Sequence, residues 1–317
     1  MSNNPVASVL ASAFTGLCLI APVFSSPART DTQAGSTRTV FASVLAKDGT
    51  PVTDLKATDF EVKEGGKKQA LTSVKLATMP LRVHIIVSDG GAGVFQLGVL
   101  RLAQALAARS EFAFTSVILQ PERIMDFTSD VETIGASLQK LGRRGVPRGG
   151  IQLMDAISAA VNDLGAPGKH PVLIVLRIGG EDASALPANR IRDALRMSGA
   201  TLYVVSRSGA SNAAPTFAGG GSMTAEVAQR EMDNAELAHT SLNLNLVLGD
   251  GSRESGGDHI ETALTSAVPV LERLAAEIKN QYEITYTLPA GTKPSDRVQV
   301  TTTRRDVTLH APQRIPN

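Results

Sequence analysis

The chain has 317 residues and a formal net charge of +1, with 43% hydrophobic and 19% charged residues. This composition excludes an intrinsically disordered chain and the broad positive surface that is typical of nucleic-acid-binding proteins, so we expect no nucleic-acid partner. The length predicts one large domain with a smaller companion and a sizeable buried core.

The N-terminal segment is predicted to direct export. The first 28 residues contain no Asp, Glu, Lys or Arg, and the largely apolar run 6–24 precedes small residues. This pattern predicts a signal peptide over 1–28 and an exported protein, either periplasmic or secreted. An uncleaved signal segment is the alternative, and it is the only membrane contact that we expect. Cys18 is the single cysteine and lies in this segment, so the remaining chain has no thiol for a disulfide.

Both ends of the remaining chain show the alternation of apolar and polar residues that is typical of half-buried strands. After a solvated linker at 29–37, the stretch 38–79 alternates around Asp48-Gly49 and Gly65-Gly66, dipeptides that favour two-residue turns. The same alternation returns at 281–317 in YEITYTL, RVQVTTT and DVTLHA. We therefore predict a small antiparallel β module to which both ends contribute.

Between these ends, near-continuous apolar runs alternate with helical patterns over 80–280. The runs VHIIV, FAFTSVIL, PVLIVL and TLYVV are typical of strands that are covered on both faces. The segments between them repeat apolar residues at helical spacing, as does VPVLERLAAEIKNQ near the end. This order predicts an α/β fold with a doubly wound, mostly parallel sheet. A Gly-, Ala- and Ser-rich loop followed by a helix is predicted as an insertion at 207–262.

The turn SDGGAG at 88–93 joins the first apolar run to a helical pattern and could in principle bind a phosphate. A dinucleotide-binding loop needs the pattern Gly-x-Gly-x-x-Gly, because its glycines let the backbone approach a pyrophosphate. Gly91 and Gly93 match this pattern, but Gln96 occupies the third position, and no P-loop pattern is present. The turn therefore predicts no nucleotide cofactor.

The order of the segments resembles that of the von Willebrand factor A-like proteins exported by bacteria. The stretches DGTPVTDLKATDFEVKEGGKKQ (48–69) and LAAEIKNQYEITYTLP (274–289) carry the resemblance, which covers about residues 38 to 315. It implies a von Willebrand A-like domain whose sheet binds a divalent cation at its C-terminal edge. In that family the ligands are Asp-x-Ser-x-Ser, a Thr after paired glycines and a later Asp, all oxygen donors that suit hard cations.

This sequence departs from the ion motif at each of these positions. The family's side-chain ligands are replaced by Ser88, Gly90, Ala92, Ile151 and Gly179. The residues left as candidates for weak cation binding are Ser88, Asp89 and Asp182. One or two carboxylates and a hydroxyl make a poor cage for Mg²⁺, so we expect a degenerate site without a functional metal and without another cofactor.

The resemblance therefore implies a non-enzymatic module for adhesion or scaffolding that binds a protein partner, whose identity the sequence does not specify. We expect the partner to bind at the rim, meaning the loops 88–94, 142–151 and 179–186, without a bridging cation. The basic run in the second of these loops is either a solvated loop or a contact for an acidic partner. The predicted rim residues are Asp89, Gly91, Arg143, Arg144, Arg148, Ile151, Glu181 and Asp182.

An extracytoplasmic hydrolase is the alternative function. The loop 250–259 holds hydroxyls, carboxylates and an imidazole, and hydrolysis would require Ser252, Ser255, Asp258 and His259 to converge in one pocket. The short spacing favours an ordinary polar loop, and no Gly-x-Ser-x-Gly elbow is present. His84 is predicted to be a core histidine, and His170 a loop residue at a strand entrance.

Overall fold

The structure is a computed structural model that describes residues 35–141, 150–209 and 240–317. The predicted signal peptide, the basic run at 142–148 and the predicted inserted helix at 224–239 lie outside the described residues. The strands are β1 (Thr37–Ala46), β2 (Phe60–Glu64), β3 (Lys67–Lys68), β4 (Ala70–Leu76), β5 (Leu81–Ser88), β6 (Ser110–Val117), β7 (Pro121–Thr128), β8 (His170–Arg177), β9 (Thr201–Arg207), β10 (His259–Thr262), β11 (Tyr282–Thr287), β12 (Val298–Thr302) and β13 (Val307–His310). The main helices are α1 (Gln96–Leu106), α2 (Val131–Leu138), α3 (Leu153–Leu164), α4 (Ala188–Ser198) and α5 (Ala267–Lys279).

A six-stranded sheet with the order β10-β9-β8-β5-β6-β7 forms the centre of the larger domain. The first five strands in this order run parallel, and β7 pairs with β6 in the antiparallel direction. Strand β7 was not predicted, because its sequence PERIMDFT has charged residues at positions where a covered strand has apolar ones. Its place at the edge of the sheet explains why such a sequence is tolerated.

Helices cover both faces of this sheet. On one face, Val83 and Ile85 of β5 belong to the same buried cluster as Leu102 of α1 and Leu271 of α5. On the other face, the neighbouring Ile86 packs in a cluster with residues of α3 and α4. Since successive residues of a strand face opposite sides, a sheet covered on both sides favours apolar residues at successive positions. The predicted doubly wound α/β fold is confirmed, and the physical cause is this double burial.

The smaller module is a β-sandwich built from both ends of the chain. One sheet has the order β13-β1-β11-β4 and the other the order β12-β2-β3. A shared buried cluster joins them and includes Val40, Phe60, Ile284 and Val300. The antiparallel module that the alternating pattern predicted is therefore present, with its N-terminal strand β1 between two C-terminal strands.

Arg109 connects the two modules at the start of β6. Its guanidinium donates hydrogen bonds to the carbonyls of Ala77 and Met79 in the segment that enters β5. It also donates to the carbonyls of Ile278 and Lys279 at the C-terminal end of α5, at 3.1 and 2.9 Å. A cation that donates hydrogen bonds to the last carbonyls of a helix stabilises its C-terminus.

No helix in the part of the chain that the structure describes has the length and hydropathy needed to span a membrane.

Candidate functional site

The candidate site is the C-terminal edge of the central sheet, where open α/β sheets generally place their ligands. Strand β5 ends here at Ser88 and β8 at Arg177, and these two residues are register partners. Ser206 of β9 is the register partner of Arg177 on the other side. The edge therefore brings together polar residues that lie far apart in the sequence.

Asp89 is turned into its own loop. The residue is 2% exposed, and its Oδ1 and Oδ2 accept hydrogen bonds from the backbone N–H groups of Gly91 and Val94 at 3.0 and 3.1 Å. Burial raises the pKa of Asp89, and these backbone hydrogen bonds oppose the increase. Gly90 and Gly91 adopt left-handed backbone conformations, with φ of 62° and 78°, which this tight loop requires. The carboxylate thus stabilises the turn that follows β5.

Asp182 caps a helix that lies about 30 residues earlier in the sequence. Its Oδ1 accepts hydrogen bonds from the backbone N–H groups of Leu153 and Met154, the first residues of α3, at 2.8 and 3.2 Å. The hydroxyl of Ser184 donates to the same oxygen at 2.9 Å. Oδ2 is buried and has no hydrogen-bond partner among the described residues. A carboxylate at a helix N-terminus is stabilised by the free N–H groups and by the helix dipole.

Arg177 is the charged residue of this edge that the sequence analysis missed. Its side chain is 1% exposed, and one guanidinium nitrogen donates to the carbonyl of Gly180 at 3.0 Å. Burial lowers the pKa of Arg177, whereas the negative charge of Asp182 raises it. The available signal was an arginine at the end of the otherwise apolar strand HPVLIVLR.

The residues at this edge do not fit a divalent cation. Mg²⁺ needs several oxygen ligands in an octahedral arrangement, but Asp89 directs both carboxylate oxygens at backbone N–H groups and Asp182 directs one. The buried guanidinium of Arg177 adds a positive charge that repels a second cation. Within the described ranges, no group of three His, Cys, Asp or Glu side chains is arranged to hold a metal ion.

Burial separates the predicted rim residues into two groups. Asp89, Gly91, Ile151 and Asp182 are buried and shape the rim from inside. Among the described members of the set, Glu181 is exposed. Arg143, Arg144 and Arg148 lie in the stretch 142–149, outside the residues that the structure describes. A β-bridge between Ile151 and Asp182 joins two of the rim loops.

Exposed leucines, which the sequence analysis did not select, lie on and beside the rim. Leu97 on the first turn of α1 is 54% exposed, Leu119 after β6 is 38% exposed, and Leu186 before α4 is 37% exposed. All three follow C-terminal strand ends of the same sheet. The backbone N–H of Gln152 donates to the carbonyl of Leu119, which ties that loop to the start of α3.

The hydrolytic constellation predicted for loop 250–259 does not form. Ser252 is fully buried and its hydroxyl donates to the carbonyl of Gly249 at 2.8 Å. The hydroxyl of Ser255 donates to the carbonyl of Ser252 and accepts from the backbone N–H of Leu202. His259 instead contacts the hydroxyl of Ser206 at 2.8 Å.

A cleft of about 510 Å³ is lined by Asp258 and His259 but by neither predicted serine. Ser206 is 4% exposed, so it is closed to a substrate. The alternative hydrolase function therefore loses the geometry on which it depended.

Comparison with solved structures places this geometry among known folds. The chain is similar to a von Willebrand factor type A protein from Catenulispora acidiphila, with 11% identity over 91% of this chain and 75% of that one and a TM-score of 0.43. It is also similar to the vWF domain of the type V pili tip protein Mfa5 from Porphyromonas gingivalis, with 12% identity over 64% of this chain and 96% of that one and a TM-score of 0.41. The chain is similar in fold to von Willebrand factor A domains.

A third similar structure is proximal thread matrix protein 1 from the mussel byssus with a zinc-occupied MIDAS motif, at 10% identity and a TM-score of 0.41. The match covers 70% of this chain and 50% of the mussel protein, so the chain spans half the length of that protein. No protein-family model and no curated protein sequence matches the chain. At these identities the similarity to von Willebrand A domains describes the fold and carries no information about activity or partners.

Proposed function

We propose that this protein is a non-enzymatic adhesion or scaffold module that binds a protein partner at the rim without a bridging cation. The observation that carries the proposal is the combination of inward-directed carboxylates and outward-directed leucines at one edge of the sheet. Asp89 and Asp182 satisfy backbone N–H groups, whereas Leu97, Leu119 and Leu186 face solvent.

Exposed leucines at one edge of the sheet are a physical reason for association. Burial of apolar surface is the main favourable contribution to most protein–protein interfaces, at about 25 cal/mol per Å². A rim that presents apolar side chains on rigid loops pays little ordering entropy when a partner binds. Glu181 and the neighbouring polar backbone would form the polar, solvent-accessible periphery of such an interface.

We further propose that the module works outside the cytoplasm. The uncharged, largely apolar stretch at 1–28 is the feature that supports export, and the lack of cysteine after Cys18 is compatible with an oxidising compartment. A partner in the cell envelope is the consequence of this placement.

Affinity capture tests the rim. The full chain is immobilised and exposed to native envelope extract in the presence of EDTA or of Mg²⁺, and bound proteins are identified by mass spectrometry. A triple variant carrying Leu97→Asp, Leu119→Asp and Leu186→Asp is compared with wild type. The matched control carries Leu76→Asp and Met197→Asp, which change leucine and methionine side chains that are equally exposed but lie on β4 and α4.

We expect a stoichiometric partner that binds equally in EDTA and Mg²⁺, is lost with the triple variant and is retained by the control. Three carboxylates buried at the centre of the interface would cost more free energy than the contacts around that centre provide. Release of the partner by EDTA, or its retention on the triple variant, contradicts the proposal. Circular dichroism of both variants verifies that neither has unfolded.

A further inference from the structure

The end of the central sheet opposite the rim borders a cavity that the proposed function does not use. The cavity has a volume of about 230 Å³ and lies where β8 and β9 begin, beside His170 and Thr201. Strand β1 of the smaller module lines one part of it, and residues between 312 and 316 line another. Because both modules contribute to the lining, the cavity belongs to the joint between them.

The first property of this cavity is an apolar interior. Phe41 of β1 and His170 of β8 both line it, and their rings stack with centroids 3.9 Å apart. Other apolar lining residues come from β1, α4 and the C-terminal segment: Val40, Leu195, Pro312 and Ile315. An apolar cavity of about 150 Å³ is large enough to bind benzene. A cavity of about 230 Å³ therefore accommodates one aromatic ring with a short substituent.

The second property is an excess of positive charge. The lining contains four cationic side chains but one carboxylate, Glu254, and the cations are Lys169, Arg192, Arg196 and Arg314. Three of the cations pair with carboxylates that are not part of the lining: Lys169 with Glu111 at 2.6 Å, Arg314 with Asp296 at 2.8 Å and Arg196 with Asp193 at 3.3 Å. Since the cations border the cavity and most of the balancing charges do not, the interior favours an anion.

The third property is an excess of hydrogen-bond donors on α4. A guanidinium has five N–H groups and no acceptor. Arg192 donates to Glu254 from Nε and Nη2, and Arg196 donates to Asp193 from Nη2. In the part of the chain that the structure describes, their other guanidinium N–H groups have no hydrogen-bond partner. The side chain of Asp193 is 67% exposed, so solvent weakens its hold on Arg196.

We propose that this cavity binds a small carboxylate whose apolar body is a single aromatic ring, with phenylacetate as the simplest representative. The ring lies in the apolar part beside Phe41 and His170, and the carboxylate accepts hydrogen bonds from Arg192 and Arg196. A planar carboxylate matches the fork of N–H groups that arginine presents. The site lies at the opposite end of the sheet from the rim, so the proposal is independent of the protein partner proposed above.

Isothermal titration calorimetry of the full chain with phenylacetate tests the proposal. The neutral analogue phenylacetamide keeps the ring and removes the charge, whereas acetate keeps the charge and removes the ring. The variant Arg196→Met removes one guanidinium from the lining and keeps its aliphatic volume. Its matched control is Arg190→Met, because Arg190 is an exposed arginine of the same helix that does not line the cavity. Thr39→Phe places a ring in the cavity from an exposed position on β1.

We expect phenylacetate to bind at one site with a Kd at or below about 1 mM, a strength within reach of about ten non-hydrogen atoms. Phenylacetamide and acetate should each bind at least about tenfold more weakly, since each lacks one of the two contributions. Arg196→Met should weaken phenylacetate binding about fivefold or more, and Arg190→Met should leave the Kd unchanged. Thr39→Phe should abolish binding, and added NaCl should weaken it in wild type.

Three results would overturn the inference. The first is the absence of saturable binding up to about 10 mM phenylacetate, well above the expected Kd. The second is equal affinity for phenylacetate and phenylacetamide, which would exclude a role for the cations. The third is an unchanged Kd in Arg196→Met, which would place phenylacetate elsewhere on the protein. Circular dichroism verifies the fold of each variant, and if Thr39→Phe disturbs β1, the comparison of Arg196→Met with Arg190→Met still decides the location.

Discussion

Acidification below neutral pH is expected to destabilise this protein through two buried histidines, His84 and His170. His84 lies in β5 at 1% exposure, where its Nε2 and the hydroxyl of Thr115 are 2.8 Å apart. Burial lowers the pKa of His84 to about 3, and the positive charge of Arg123 adds to the effect. The prediction that His84 is a core histidine agrees with this burial.

His170 was predicted to be a loop residue, and this expectation is wrong. It is the first residue of β8, is 3% exposed and stacks on the ring of Phe41 with a centroid distance of 3.9 Å. Burial lowers the pKa of His170 to about 3, and the charge of Arg109 contributes in the same direction. The β module supplies the stacking partner, which the residues near His170 in sequence do not reveal.

The sign and size of the effect follow from proton linkage. Both imidazoles are neutral in the folded protein down to about pH 3 but take up a proton near pH 6.5 in the unfolded chain. Below pH 6.5 the unfolded state therefore binds more protons, so the free energy of unfolding falls as the pH falls. Between pH 6 and pH 5 the two residues together should remove about 2.5 kcal/mol, since one proton contributes about 1.4 kcal/mol per pH unit.

Urea denaturation at several pH values measures this slope, with circular dichroism as the probe because the chain contains no Trp. The variants His84→Gln and His170→Gln should each reduce the loss of stability between pH 6 and pH 5 by about 1.2 kcal/mol, whatever they do to absolute stability. His310→Gln is the control. Burial lowers the pKa of His310, but the hydrogen bond and charge of Glu277 and the charge of Asp258 together raise it. Because the fold raises its pKa, His310 contributes to the slope with the opposite sign, so His310→Gln should not reduce the slope.

A stability that is independent of pH between pH 6 and pH 5 would refute the reasoning. It would mean that the two imidazoles ionise inside the fold. A slope that persists unchanged in both glutamine variants would assign it to other groups. Since burial also lowers the pKa of His259, that residue adds to the slope in the same direction and is the third variant to measure.

Two further predictions concern close packing and the joint between the modules. A Cβ at Gly257 would lie 1.9 Å from the carbonyl oxygen of Leu202, so Gly257→Ala should lower the free energy of unfolding by about 3 kcal/mol or more in urea denaturation. The control Gly135→Ala, in the interior of α2 where no atom lies within 4 Å of the new Cβ, should raise it by about 0.5–1 kcal/mol. Equal effects of the two changes would show that the backbone at 257 can shift. Arg109→Ala should cost about 2–3 kcal/mol through its four carbonyl contacts. Arg109→Lys should recover less than half of this loss, and full recovery would mean that the fork geometry of arginine is not required.

The hydrophobic periodicity predicted the layers of the fold well. Runs such as PVLIVL correspond to the centre of β8, and the predicted helix VPVLERLAAEIKNQ corresponds to α5 at Ala267–Lys279. Such patterns are informative because the spacing of apolar residues is repeated over many consecutive positions, so a single exception does not change the prediction. The loop predicted at 250–259 begins inside a helical segment, a π-helical turn at Leu246–Gly251 followed by a short helix at Ser252–Glu254. Glycines at 249 and 251 concealed this helical segment.

The sequence by itself determined the layered α/β fold and the β module that combines both ends of the chain. Only the tertiary structure decided where the charged side chains at the sheet edge point. The oxygens of Asp89 turn back to its own loop, Asp182 reaches a helix that begins 29 residues earlier, and Arg177 takes a central place through strand register. Periodicity reports which face of an element is buried, whereas the partner of a single polar atom depends on which distant loops the packed sheet brings together.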